Sequence, residues 1–182
     1  MDLRKWYGKG FTQQEYIDYM QANKENLLSI KERFSLHSPD KVKQLKGEKL
    51  HALILTADWC GDAMVNLPIF MAIAEAADLK STYLIRDENL DLMDQYLTNG
   101  TARSIPIIVL ADEEGNEVAK WGPRAKSVQE KVTAYSAELP AKEDPAYEDS
   151  FKAFIGKMGK LYTTDPAIWK EIEEDMLNTF VK

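Results

Sequence analysis

The residue with the clearest chemistry in the sequence is Cys60, the only cysteine among 182 residues. It follows residues 50–56, a short and nearly uncharged run that predicts a strand buried on both faces. Apolar residues then recur at helical spacing, so Cys60 stands where a helix begins. The unpaired N–H groups and the positive dipole end of that helix favour a thiolate. We therefore expect an exposed, nucleophilic thiol, and the alternative is a buried inert one.

The neighbours of Cys60 limit what this thiol can do. Asp62 stabilises the first turn of the helix, but its negative charge disfavours a thiolate nearby. Trp59 is either a lid beside the thiol or a core aromatic, and Ala63 carries no reactive group. Because the chain has no second cysteine to resolve a mixed disulfide, Cys60 by itself can perform only the attacking step.

The segment Trp59-Cys60-Gly61-Asp62-Ala63 is followed by a predicted helix that contains Pro68. This segment resembles the Trp-Cys-Gly-x-Cys motif of the thioredoxin superfamily, without its second cysteine. A bacterial thioredoxin-like family with Trp-Cys-Gly-Asp-Cys is more similar still, since it also carries Arg-x-Ile-Pro and Trp-Gly-Pro-Arg. These two segments read here Arg103-Ser104-Ile105-Pro106 and Trp121-Gly122-Pro123-Arg124.

The resemblance implies which residues form the site. Cys60 would be catalytic, and the cis-proline position beside it would be Pro106. The residues expected to contact the substrate are Trp59, Gly61, Asp62, Ala63, Arg103, Ile105, Pro106, Gly122 and Arg124. Arg103 would pair with a carboxylate of a thiol tripeptide or an acidic peptide, or else be a surface arginine. Ile54 replaces the buried aspartate that thioredoxins place six positions before the attacking cysteine, so their proton relay is not expected here.

These features predict thiol–disulfide exchange by a single cysteine that forms mixed disulfides. The expected partner is a protein disulfide or a low-molecular-weight thiol, the expected state is a monomer or weak dimer, and no cofactor is expected. Two alternatives remain open. One is a redox-inactive binding module whose groove around Pro106 holds a peptide, and the other is a dithiol oxidoreductase whose resolving cysteine has been replaced by alanine at position 63.

Composition and charge exclude several other classes. A formal net charge of -7 argues against nucleic acid or an anionic membrane as the main partner, since both select basic surfaces. No signal peptide or membrane span is evident, and the lone cysteine forms no internal disulfide, so we expect a cytoplasmic protein. His37 and His51 are far apart in the sequence, so we expect no metal site.

The elements that position Cys60 follow the order β-α-β-α-β-β-α, which predicts an α/β thioredoxin-like fold with a central mixed four-stranded sheet. We expect a single domain over residues 1–182, with its core at 49–138. Residues 1–48 form an N-terminal helical extension, in which one helix is predicted from about residue 12 to Phe34. Residues 139–182 form a C-terminal helical extension that covers the core or, alternatively, forms an interface.

Overall fold

A mixed four-stranded sheet lies at the centre of the molecule in this computed structural model, which describes residues 1–181. The strands are β1 (His51–Thr56), β2 (Lys80–Ile85), β3 (Ile107–Ala111) and β4 (Glu117–Trp121). They are arranged in the order β2-β1-β3-β4, with β1 parallel to β2 and antiparallel to β3, and with β3 antiparallel to β4. The predicted element order β-α-β-α-β-β-α and the predicted mixed four-stranded sheet are therefore both confirmed.

Eight α-helices flank this sheet within the described residues. They are α1 (Gln13–Tyr19), α2 (Lys24–Arg33), α3 (Pro39–Leu45), α4 (Gly61–Ala77), α5 (Leu90–Met93), α6 (Lys126–Ser136), α7 (Tyr147–Thr164) and α8 (Pro166–Phe180). Strand β1 is almost completely buried because it is central and covered on both faces, as its apolar sequence predicts. The arrangement is the α/β class expected from the sequence.

The N-terminal part differs from the expectation of one helix from about residue 12 to Phe34. Helix α1 begins with a capping box, in which the Thr12 and Glu15 side chains each accept a hydrogen bond from the other residue's backbone N–H. The helix ends at Tyr19, and Asn23 adopts a left-handed conformation with φ of 56° before α2 begins. The apolar spacing continues through this break, because Met20 is buried like the helical residues around it. The pattern therefore could not reveal the interruption.

Of the two C-terminal helices, α8 covers the core, in agreement with the first of the two alternatives. Helix α8 packs on α4 and β4, and its apolar residues Trp169, Ile172, Met176, Leu177 and Phe180 are all buried. Helix α7 is different, since it leaves Phe151 and Ile155 largely exposed. None of the helices within residues 1–181 has the length and apolar character needed to cross a membrane.

Candidate functional site

Cys60 lies at the N-terminus of α4, where the chain leaves the central strand β1. Its backbone is extended, and its Sγ accepts a hydrogen bond from the Ala63 N–H at 3.5 Å. The thiol in turn donates to the Ile105 carbonyl oxygen at 3.4 Å. The Ile105–Pro106 peptide bond is cis. The cysteine and the Ile105–Pro106 segment are thus in direct contact, although 45 residues separate Cys60 from Ile105 in the sequence.

The burial of Cys60 contradicts the expectation of an exposed, activated thiol. The residue is only 8% exposed. Burial raises the pKa of the Cys60 thiol above its ordinary value, and the charge of Asp62 acts in the same direction. The Ala63 N–H and the Arg124 cation oppose this rise without reversing it. The neutral thiol is therefore favoured, because the loss of hydration outweighs the effect of the helix N-terminus.

Asp62 is held by two residues that come from other parts of the chain. Arg124 donates from Nε to one carboxylate oxygen at 2.8 Å, and its Nη2 lies 2.7 Å from the other. The Tyr162 hydroxyl of α7 donates to the first of these oxygens at 2.7 Å. Asp62 and Arg124 were both predicted site residues, and the structure brings them together as an ion pair. Tyr162 was missed, because a tyrosine on an apolar helical stripe gives no signal of a carboxylate partner 100 residues away.

The predicted glycine site at position 122 is a place of close backbone approach. Gly122 has a φ of +122°, and a Cβ atom there would collide with the Pro106 carbonyl oxygen. The Gly122–Pro123 peptide bond is also cis. In addition, Asn66 of α4 donates from Nδ2 to the Pro123 carbonyl oxygen at 3.1 Å. The three motifs identified in the sequence therefore converge on one end of the sheet.

Trp59 lies on the surface beside the buried thiol. It is 55% exposed, and the Arg86 guanidinium stands 4.9 Å from its ring centroid, which is a cation–π geometry. Trp59 is thus an exposed aromatic next to Cys60, and the alternative of a core aromatic is wrong.

Asp58 anchors the loop that carries Trp59, a role that the sequence did not indicate. Its carboxylate accepts the backbone N–H groups of Gln21 at 2.8 Å and Ala22 at 3.0 Å. Burial opposes ionisation of Asp58, but the two N–H donors outweigh it and hold its pKa below the ordinary value. The break between α1 and α2 therefore has a purpose in the fold, since it exposes the N–H groups that bind Asp58.

The side chain of Arg103, a predicted substrate-binding residue, is paired with a carboxylate of the same chain. Its Nε and Nη2 form a bidentate pair with the Asp94 carboxylate, at 2.7 and 2.9 Å. The Arg103 side chain remains 46% exposed. An incoming carboxylate would therefore have to compete with Asp94.

A cavity of about 670 Å³ opens on the α7 side of the motif. The lining residues include Trp59, Gly61 and Asp62 of the motif and Phe154 and Met158 of α7. This size is typical of small-ligand sites. Among residues 1–181, no group of three or more His, Cys, Asp or Glu side chains is arranged to hold a metal ion.

Comparison of the chain with known proteins identifies its family. A sequence model described as Thioredoxin matches residues 10–138. No curated protein matches the chain. An HIV epitope scaffold (14% identity, TM-score 0.62) and a protein of unknown function from Pseudomonas aeruginosa (16%, 0.61) are similar solved structures, each aligned over 96% of this chain and 99% of its own.

A thioredoxin from Fasciola hepatica is 22% identical with a TM-score of 0.35, over 52% of this chain and 88% of its own. The match of the family model extends from the start of α1 to the end of α6, and so includes the whole sheet and all three motifs. Helices α7 and α8 lie outside it. The chain therefore belongs to the thioredoxin family.

Proposed function

We propose that this protein carries out thiol–disulfide exchange through a single cysteine, Cys60. The observation that carries the proposal is the position of its Sγ between two groups, the Ala63 N–H of α4 and the Ile105 carbonyl oxygen before Pro106. A thiol at a helix N-terminus, in contact with the backbone before a cis-proline, is suited to react with an extended chain that carries a disulfide.

The proposed cycle has two steps. In the first step, Cys60 loses its proton to solvent, and its thiolate attacks one sulfur of a disulfide R–S–S–R′. A Cys60–S–S–R bond forms, and R′–S⁻ leaves. In the second step, the thiolate of a low-molecular-weight thiol attacks the R sulfur, forms a new disulfide with R and returns the Cys60 thiolate. The external thiol is needed because Ala63 has no sulfur with which to resolve the intermediate.

The substrate groups of the proposal are those that surround Cys60. The Ile105 segment offers backbone groups to an extended substrate, and Trp59 offers an exposed aromatic face beside the thiol. Gly61 and Asp62 lie at the rim of the cavity, and Gly122 permits the close approach to Pro106. Arg124 acts through Asp62, and Arg103 would bind a substrate carboxylate only by leaving Asp94.

A redox-inactive binding module is the second candidate, and the burial of Cys60 favours it. A residue that is 8% exposed and has a raised thiol pKa is a slow nucleophile at neutral pH. In this case the surface around Ile105 and Pro106 would hold a partner peptide without covalent chemistry.

A mixed-disulfide assay separates the two candidates. A peptide with one cysteine, joined by a disulfide to a chromophoric thiol, is mixed with the folded protein. We expect release of the chromophore, a peptide adduct on Cys60 seen by mass spectrometry, and its removal by added glutathione. Cys60→Ser should form no adduct. If the folded protein stays unmodified while the denatured protein reacts, exchange is excluded. Retained binding of a disulfide-free peptide to Cys60→Ser would then favour the binding module.

A further inference from the structure

A carboxylate, a guanidinium and a phenol from three separate parts of the chain meet beside Cys60. Asp62 belongs to the first turn of α4, Arg124 follows β4, and Tyr162 lies in α7, outside the part matched by the family model. All three are shielded from solvent, with side-chain exposures of 14% for Asp62 and 27% for Arg124 and a residue exposure of 4% for Tyr162. Hydrogen bonds and interactions between charges are stronger at a site shielded from water than in solvent.

We propose that Tyr162 is a positioning residue for the thiol: its hydrogen bond keeps the Asp62 carboxylate paired with Arg124 beside Cys60. Helix α7, which carries Tyr162, thereby controls how the charges of Asp62 and Arg124 act on the Cys60 thiol. This inference rests on the proposed exchange reaction for its functional meaning, but the contacts that carry it do not depend on that reaction.

The chemistry of each partner supports this role. Burial, with the nearby Asp62 carboxylate, raises the pKa of Tyr162 well above its ordinary value. The phenol therefore stays protonated and donates a hydrogen bond to Asp62. The Arg124 guanidinium stays charged at any relevant pH. Its two contacts to Asp62 place one positive charge against one negative charge, so the net charge that this pair presents to Cys60 is small.

The other groups near Cys60 leave Asp62 as the main local charge that opposes the thiolate. Tyr16 of α1 lies close enough to interact with Cys60, but its own pKa is raised to about 12 by burial, so it is neutral. Asp58 is ionised and bound to the N–H groups of Gln21 and Ala22. Asp62 raises the thiol pKa and Arg124 lowers it. Any loosening of the Asp62–Arg124 pair should therefore disfavour the Cys60 thiolate.

The test measures the ionisation of Cys60 and does not depend on thiol–disulfide exchange activity. Because the chain has one cysteine, ¹³C labelling of cysteine Cβ gives a single NMR signal whose shift reports the thiolate. We expect Tyr162→Phe to raise the midpoint of this titration by about half a pH unit and Arg124→Met to raise it further, which is the size expected for one partly screened charge. Tyr96→Phe is the matched control, since Tyr96 is also buried and donates to a carboxylate, that of Glu117, at 2.9 Å.

A double-mutant cycle decides whether Tyr162 acts through Asp62. In an Asp62→Asn background, Tyr162→Phe should leave the midpoint unchanged, since the charge that it positions is gone. An unchanged or lowered midpoint in Tyr162→Phe, or a rise that persists with Asp62→Asn, overturns the proposal. If Tyr162→Phe does not fold, Tyr162→Met, which also lacks the hydroxyl donor, and its cycle with Asp62→Asn give the same decision. A shifted midpoint in a protein without exchange activity would reject the proposed function alone.

Discussion

At the scale of single residues, the ionisation of Cys60 results from a competition between solvation and local charge. The helix N-terminus and the Ala63 N–H favour the thiolate, whereas burial and Asp62 oppose it, and burial is the largest of these effects. The Ile105 carbonyl contributes as well, because it accepts a hydrogen bond only from the protonated thiol. The neutral thiol is therefore the resting form, and a bound substrate or a changed neighbour would be needed to shift it.

Removing the charge of Asp62 should make Cys60 more acidic. In Asp62→Asn, the opposing negative charge is lost while the Arg124 cation remains. The midpoint of the thiol should fall by roughly half a pH unit or more. The rate of alkylation by iodoacetamide as a function of pH measures this midpoint. Asp40→Asn, which removes the charge of a side chain that is 93% exposed, is the matched control and should leave it unchanged. A rise in the Asp62→Asn midpoint would show that the charge is not the cause.

A second thiol at position 63 should convert the site to dithiol chemistry. Residues 60 and 63 face each other across the first turn of α4, where the Ala63 N–H already contacts Sγ. We expect Ala63→Cys to form an internal disulfide under mild oxidation, seen as the loss of two hydrogen masses and of both titratable thiols. Ala63→Ser is the control of similar size and should retain its single thiol. A variant with two thiols that stay free would contradict the proposed geometry.

At the scale of elements, the site depends on a close approach between two backbone segments. The chain after β4 runs against the chain before β3, and Gly122 is the residue that makes room for Pro106. The same segment continues to Arg124, which reaches α4. A disturbance at Gly122 should therefore affect both the sheet end and the surroundings of Cys60.

Gly122→Ala should destabilise the protein by about 2 kcal/mol or more, because the new Cβ meets the Pro106 carbonyl and the φ of +122° is unfavourable for alanine. Urea unfolding followed by circular dichroism measures the free energy of unfolding. Gly61→Ala is the matched control in the same site, since nothing lies within 4 Å of its Cβ position. It should cause no loss of stability, and equal losses in both variants would rule out the steric explanation.

At the scale of the whole molecule, a buried carboxylate joins the C-terminal helix α8 to the segment that precedes α3. Glu173 of α8 is fully buried, and it accepts the backbone N–H groups of His37 at 3.0 Å and Ser38 at 2.9 Å. It also lies 3.0 Å from the His37 ring nitrogen Nδ1. His37, one of the two histidines of the chain, therefore has a structural partner. These contacts support the proposal that residues 1–182 form a single domain.

Glu173→Gln should lower the free energy of unfolding by about 2 kcal/mol, because a buried set of charge-assisted hydrogen bonds is weakened. Glu174→Gln removes the same charge from the next residue, which is 49% exposed, and should change stability by less than about 0.5 kcal/mol. Urea unfolding followed by tryptophan fluorescence and by circular dichroism checks both values. Two separate transitions in the unmodified protein would contradict the single-domain proposal.

The sequence by itself determined the order and type of most elements. The strand predicted at residues 50–56 is observed as β1, and α4 begins directly after Cys60, where the sequence predicted a helix start. Alternation and helical spacing are local properties, so they are visible in short windows. The three motifs are also local, because each is a short run of consecutive residues. The break between α1 and α2 was not visible, because apolar residues keep their spacing across it.

Only the tertiary structure decided the state of the thiol and the partners of the charged residues. Cys60 is buried against Ile105, Asp62 is bound by Tyr162 and Arg124, and Arg103 is bound by Asp94. Burial and ion pairing depend on which distant segments meet, and no local pattern encodes that. The sequence thus identified where the reactive sulfur lies, whereas its burial against the Ile105 segment determined that the sulfur rests as a shielded, neutral thiol.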